Sequence, residues 1–247
     1  MRLFIYTLLT LSLLFSSVSK AGLDEGLAAA NKGDFKTAYK EWKPLADQGD
    51  ATAQYNLGIM YSNGNGVLKD DKQAVAWWRK AAEQGYADAQ YNLGFKYEHG
   101  EGVSKDQKQA VAWYRKAAEQ GNAQAQGSLG IMYDDGNGVL EDDKQAVAWF
   151  RKAAEHGNAQ AQLNLGSMYS NGNGVLKDDK QAVAWYRKAA DQGYASAQYN
   201  LGITYYYGNG VLKSKSQAKS WMKKAYENND PRVTRFALDF FNKYLAD

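Results

Sequence analysis

The chain has 247 residues, no cysteine, and 30 basic side chains against 27 acidic ones. Without cysteine there is no disulfide framework, no thiol catalysis and no site for lipoprotein acylation. The near balance of charge argues against bulk attraction to nucleic acid or to an anionic membrane.

Residues 1–21 read as a secretory signal peptide. Arg2 is the basic start, the stretch from Leu3 to Phe15 is apolar, and Ser19, Lys20 and Ala21 place small residues around a cleavage point. The apolar run is short for a membrane span, and nothing after it is apolar enough to serve as one. The expectation is therefore a periplasmic or secreted chain, cleaved near Ala21, with a mature net charge near +1 once Arg2 and Lys20 are gone. Residues 22–50 form a shortened helical hairpin in which Trp42 fills the core, an N-terminal cap for the helices beyond it.

From Ala51 to Asp230 the sequence repeats every 36 residues five times without insertion, in blocks 51–86, 87–122, 123–158, 159–194 and 195–230. A period of this length signals a solenoid of stacked helix pairs. In the first block Ala53, Leu57, Gly58 and Tyr61 gather on one side of a helix A, and Ala74, Trp77 and Ala81 on one side of a helix B. Trp77 is read as the ring that fills the space left by these small residues. Asp70 with Gln73 has the spacing of a capping box at the start of helix B, repeated as Asp106/Gln109, Asp142/Gln145, Asp178/Gln181 and Ser214/Gln217. Helix B is expected to end at Gly85, Gly121, Gly157 and Gly193, with Asn229 taking that place in the last block. Gly64 and Gly66, two glycines one residue apart between the helices, call for positive φ or close backbone approach. Neither a phosphate loop nor an EF-hand fits: no Gly-Lys-Ser/Thr comes after the glycines, and Val139 stands where an oxygen ligand would be needed.

After the fifth block, Asp230 and Pro231 are read as an N-cap and first residue of a terminal helix over 231–247. Its face of Val233, Phe236, Ala237, Phe240 and Tyr244 would cover the last repeat. Terminal units that differ from the rest are what a soluble solenoid requires.

The run Asn56, Leu57, Gly58 and Tyr61, then Gly64, Gly66 and Val67, then Ala74, Trp77 and Lys80 through Gly85, resembles the Sel1-like repeat family, a relative of the tetratricopeptide repeats. The resemblance covers all five blocks. It implies an all-α fold, an α/α solenoid in which antiparallel helix pairs form a right-handed superhelix with helix A lining the concave side. One cysteine-rich branch of that family is associated with binding or slow hydrolysis of penicillin-like compounds. This chain lacks that branch's cysteines, so a weak hydrolase activity stands only as a minor alternative.

Function is expected where the repeats differ on an exposed face. Positions 2, 5, 9 and 12 of each block point away from the core stripe at 100° per residue. With their neighbours they give a candidate partner-binding set of Tyr55, Asp88, Tyr91, Phe95, Glu98, Asp134, Asp135, Leu163, Tyr199, Ile203, Tyr206 and Tyr207. Asp88, Glu98, Asp134 and Asp135 make the second and third repeats acidic, and Tyr199, Ile203, Tyr206 and Tyr207 make the fifth aromatic. Such a groove suits a basic extended segment with an apolar or aromatic end. A competing reading has Tyr199 and its neighbours packing against the next helix. The basic pairs along helix B, from Arg79/Lys80 to Lys223/Lys224, are read as a solvated face offset by acids such as Glu83 and Asp191. Catalysis finds little support: His99 and His156 are far apart, and no metal, cofactor or nucleic-acid motif is present. The sequence reads as a non-catalytic scaffold for a peptide or protein partner, with a peptidoglycan- or host-protein-binding adaptor as the alternative.

Overall fold

A computed structural model describes residues 20–228 and 230–245, and the proposed signal peptide, apart from Lys20 and Ala21, lies outside them, as does Asn229. Every regular element among the described residues is helical. The described residues fall into two compact units that divide between residues 120 and 121.

The first unit holds α1 (20–31), α2 (Phe35–Asp47), α3 (Ala51–Asn63), α4 (Asp71–Glu83), α5 (Ala87–His99) and α6 (Gln107–Glu119). The second holds α7 (Ala123–Asp135), α8 (Asp143–Glu155), α9 (Ala159–Asn171), α10 (Asp179–Asp191), α11 (Ala195–Tyr207), α12 (Lys215–Glu227) and α13 (Thr234–Phe240), which ends in a π-helical turn over Phe241–Leu245. In each unit helix A packs on its own helix B, and helix B packs on the helix A of the next block. Each block thus has its apolar residues covered by a neighbour, the economy of a solenoid.

Two readings of the repeat need correction at residue level. The ring seated on the small residue of helix A is Trp78, one place beyond Trp77: a Cβ on Gly58 would lie 2.3 Å from its indole nitrogen. Tyr114, Phe150, Tyr186 and Met222 take the same seat over Gly94, Gly130, Gly166 and Gly202. Trp77 is also buried, but it packs into the preceding helices, beside Ala38 and Leu57, while the Lys80 ammonium lies 4.0 Å from its ring centroid. The basic ladder is therefore largely a set of lysines over tryptophans, repeated at Lys116, Lys152, Lys188 and Lys224. Of the helix-internal ion pairs expected there, Lys223–Glu227 closes at 3.7 Å.

The second correction concerns the start of helix B. The Asp70 carboxylate accepts from the backbone N–H of Lys72 and Gln73, as a cap should. Gln73 is exposed and the reciprocal bond of a capping box is replaced: the Asp70 N–H already donates to the Tyr61 carbonyl at 2.9 Å. Asp106, Asp142, Asp178 and Ser214 do the same toward Tyr97, Tyr133, Tyr169 and Tyr205. The cap is thus tied to helix A, which fixes the loop between them.

That loop is also held from outside. Gly66 has φ +71°, and a Cβ there would fall 2.7 Å from the Phe35 carbonyl oxygen. Gly102, Gly174 and Gly210 rest in the same way on Asp71, Asp143 and Asp179, each the first residue of the preceding helix B. Gly85, Gly121, Gly157 and Gly193 close helix B with φ between +84° and +93°.

A further recurring residue escaped the sequence reading. Gln54, Gln90, Gln162 and Gln198 are buried, and each donates from its side chain to the carbonyl of Ala46, Ala82, Ala154 or Ala190 near the end of the preceding helix B. Gln84 in turn donates to the Gln54 side-chain oxygen at 2.8 Å. Each of these carbonyls also accepts the backbone N–H of the glycine that closes its helix, so the amide takes the second lone pair and locks consecutive repeats.

At the C-terminus Asp230 closes a turn. Its side chain accepts from the Arg232 N–H and its carbonyl from Val233 and Thr234, and the regular helix begins only at Thr234. Val233, Ala237 and Phe240 are buried as the predicted face requires, with Leu245 beside them. Phe236 is 63% exposed and does not join that face.

Candidate functional site

In the first unit the end of α3, the middle of α4 and the exposed side of α5 border an open cavity of about 280 Å³ lined by Ser62, Trp78, Tyr91, Asn92, Phe95 and Lys96. Its floor is set by the seat of Trp78, whose indole N–H donates to the Tyr55 carbonyl at 3.1 Å. Tyr91 leans on Tyr114 with ring centroids 5.7 Å apart, and Phe95 stacks on His99 at 4.1 Å. Phe95 remains 36% exposed, a large apolar side chain left open at the rim.

Lys96 is the residue that sequence reasoning missed. It stands at the tenth position of its block, where Met60, Met132 and Met168 are buried in three of the others and Thr204 in the fourth, and it is itself only 5% exposed. Its ammonium is 2.7 Å from the Asp71 carboxylate and 2.6 Å from that of Glu101. Burial alone would lower its pKa, but the two carboxylates outweigh it and hold the group above the usual lysine value. The signal in the sequence was a lysine in a methionine column together with Glu101 in an asparagine column.

Of the predicted acids in this unit, Glu98 accepts a hydrogen bond from the Tyr114 hydroxyl at 2.5 Å, so its carboxylate is held in place beside the aromatic rings. Asp88 lies exposed in the first turn of α5. Tyr55 stacks on Tyr86 at 4.9 Å, and burial followed by the charge of Asp88 raises the pKa of both phenols.

The second unit has a smaller cavity of about 150 Å³ at the same register, lined by Ser170, Tyr186, Asn200, Ile203, Thr204 and Asn209. The Tyr186 hydroxyl donates to Ser167 at 3.3 Å, and the Thr204 hydroxyl is turned inward to the Leu201 carbonyl. Tyr199 and Tyr206 pack edge-on against Phe240 at 6.5 and 5.3 Å, and Tyr206 also meets Tyr244 at 5.6 Å. These rings, with Ile203, are half-buried under the C-terminal helix, as the competing reading held, whereas Tyr207 stays 56% exposed. Leu163 is half-buried against the neighbouring core. Asp134 is half-buried, and its pKa is raised by burial and then by Asp135, Asp143 and Glu141; Asp135 is exposed.

Among the described residues no group of three or more His, Asp or Glu is placed to hold a metal, and no helix is long and apolar enough to cross a membrane.

The Sel1 repeat model matches residues 51–86, 87–122, 123–158, 159–194 and 195–230, and the chain belongs to the Sel1 repeat family. A Sel1 repeat protein from Oxalobacter formigenes superposes with a TM-score of 0.84 at 35% identity, over 92% of this chain and 90% of that one. A protective antigen of uropathogenic Escherichia coli with the same kind of fold gives 0.83 at 35% identity, over 95% of this chain and 55% of that one. An immunity protein from Pseudomonas aeruginosa, 22% identical over 87% of this chain and 84% of that one, shares the fold with a TM-score of 0.51. No curated protein matches the chain significantly. The helix pairs pack consecutively as in Sel1 solenoids, whose members are generally scaffolds for protein–protein interaction and generally non-catalytic.

Proposed function

We propose that this protein is a non-catalytic scaffold that holds a peptide or protein partner on its helix A face, and that the cavity of the first unit is the anchoring point. The observation that carries this reading is the open aromatic rim of Tyr91 and Phe95 above Trp78, with Ser62 and Asn92 as polar contacts. An aromatic or aliphatic side chain of the partner enters it, and basic residues flanking that side chain meet Glu98 and Asp88. Rigid rings give contact area at little entropic cost, and exposed carboxylates steer cations.

The apolar stretch behind Arg2 supports export, so the partner is sought in the cell envelope. Affinity capture from an envelope extract, with wild type and Tyr91→Ala/Phe95→Ala as baits, tests the site. A partner retained by wild type and lost at least about tenfold with the variant is the expected result. Equal capture by both baits would remove this cavity from the site. Fractionation of cells expressing the chain checks its location.

The likeness to a protective antigen favours a second reading, a host-facing or cell-wall adaptor. Co-sedimentation with purified peptidoglycan distinguishes it, since a peptide scaffold stays in the supernatant.

A further inference from the structure

Leu140, Leu176 and Leu212 are 89%, 92% and 91% exposed, each at the same place in the loop between helices A and B of three successive repeats in the second unit. A leucine exposed to that degree is common singly on a surface, but a fixed series of them is not. The loops that carry them are stacked. A Cβ on Gly174 would lie 2.3 Å from the Asp143 carbonyl oxygen, and one on Gly210 would lie 2.3 Å from that of Asp179, so each loop rests directly on the preceding repeat. The three side chains therefore stand in a row along one edge. In the first unit Leu68 has the same exposure, but the next loop carries Ser104, which breaks the series.

The charge beside the leucines changes along the row. Leu140 is followed by Glu141, Asp142 and Asp143; Leu176 by Lys177 and two aspartates; Leu212 by Lys213, Ser214 and Lys215. The edge runs from strongly acidic through weakly acidic to basic. Pairing two such edges in the same direction would set Glu141 on Glu141 and Lys213 on Lys213. Turning one through a two-fold axis at Leu176 sets Leu140 against Leu212 and Glu141 against Lys213, twice over. That is the self-complementarity an isologous interface demands.

We infer that this leucine edge is a surface for a second copy of this chain, docked antiparallel about Leu176. The charge gradient selects that occupant, since a uniformly charged partner such as an anionic membrane would match one end of the row and be repelled by the other. Three leucines per protomer with their flanking loops make a small interface, so the dimer is concentration-dependent.

Sedimentation velocity of the full purified chain, from about 1 to about 500 μM, reads the association directly. Wild type is expected to pass from monomer to dimer over that range. Leu176→Asp, which meets itself at the axis, is expected to weaken association more than about tenfold while leaving the thermal melt unchanged, because the side chain is almost wholly exposed in the monomer. Lys213→Glu and Glu141→Lys should each weaken it about threefold to tenfold, and the double variant should restore it. A wild type that stays monomeric, a dimer indifferent to Leu176→Asp, or a double variant no better than the singles would each overturn the inference. So would a monomer that pellets with phosphatidylcholine/phosphatidylglycerol vesicles through these leucines.

Discussion

The cavity beneath Phe95 and the one beneath Ile203 are the same place in two different repeats, and they differ in almost everything a ligand would sense. Both keep a serine and an asparagine, Ser62 with Asn92 and Ser170 with Asn200. The first adds an indole, an exposed phenylalanine and a buried ammonium; the second has a phenol, an isoleucine and a threonine whose hydroxyl is spent on its own helix. The first is about 280 Å³ and the second about 150 Å³. The frame supplies the hole, and the side chains at a few columns decide its chemistry.

The largest expected effect tests that frame. Gly58→Ala drives a methyl into the rigid indole of Trp78 and is expected to cost about 3 kcal/mol in urea unfolding. Gly202→Ala meets the end of the flexible Met222 side chain, at 2.6 Å, and should cost only about 1 kcal/mol. Equal costs would mean that the filling side chain does not set the tolerance of the seat.

A transplant tests the chemistry. Thr204→Lys places an ammonium where Asn209 stands in the column of Glu101, leaving only Asp179 in the column of Asp71. It is expected to cost about 2 kcal/mol, because a buried charge lacks half its partners. Adding Asn209→Glu should recover at least half of that, measured by the same unfolding curves. No recovery would show that the Lys96 arrangement depends on more than its two carboxylates.

The smallest effect is alkaline. The Tyr39 and Tyr61 hydroxyls lie 3.4 Å apart in the first unit, and that hydrogen bond, with burial, pushes the Tyr61 pKa up to about 12. Lys96 is shifted in the same direction. A proton held more tightly in the folded state stabilises fully below the unfolded pKa, near 10 for both types, and that stabilisation is lost as pH rises through the folded value. Melting temperature should therefore fall between about pH 10 and 12, and Tyr61→Phe should flatten part of that fall. In the second unit Tyr169 and Tyr205 receive Arg151 and Arg187 instead of another phenol. An unchanged slope in Tyr61→Phe would remove the tyrosine pair from the account.

Most of the fold was legible because the repeats test one another: a residue that survives five copies has a packing duty. That comparison gave the helix pairs, the cap aspartates and the positive-φ glycines. It misled at Trp77, where constancy reflects contact with the preceding helices, while the seat over Gly58 accepts any side chain that fills it. It erred at Gln73 because no sequence pattern shows that the Asp70 N–H is taken by Tyr61. The site was less legible for the opposite reason. Tyr91, Phe95 and Glu98 were found as departures on an exposed face, but Lys96 sits in a core column, and its two carboxylates come from different repeats. The aromatic set of the fifth repeat was visible, yet only the packing of Phe240 tells that Tyr199 and Tyr206 are largely engaged.

The helices α1 and α2 carry little of the repeat signature, yet Gly26 lies under Trp42 as Gly58 lies under Trp78, and the Trp42 indole donates to Leu23 as that of Trp78 does to Tyr55. What has been kept there is a gap and the ring that closes it, while the letters around them have drifted. A gene built this way can lengthen by copying one block in frame, since the new helix pair arrives already fitted to the one before it.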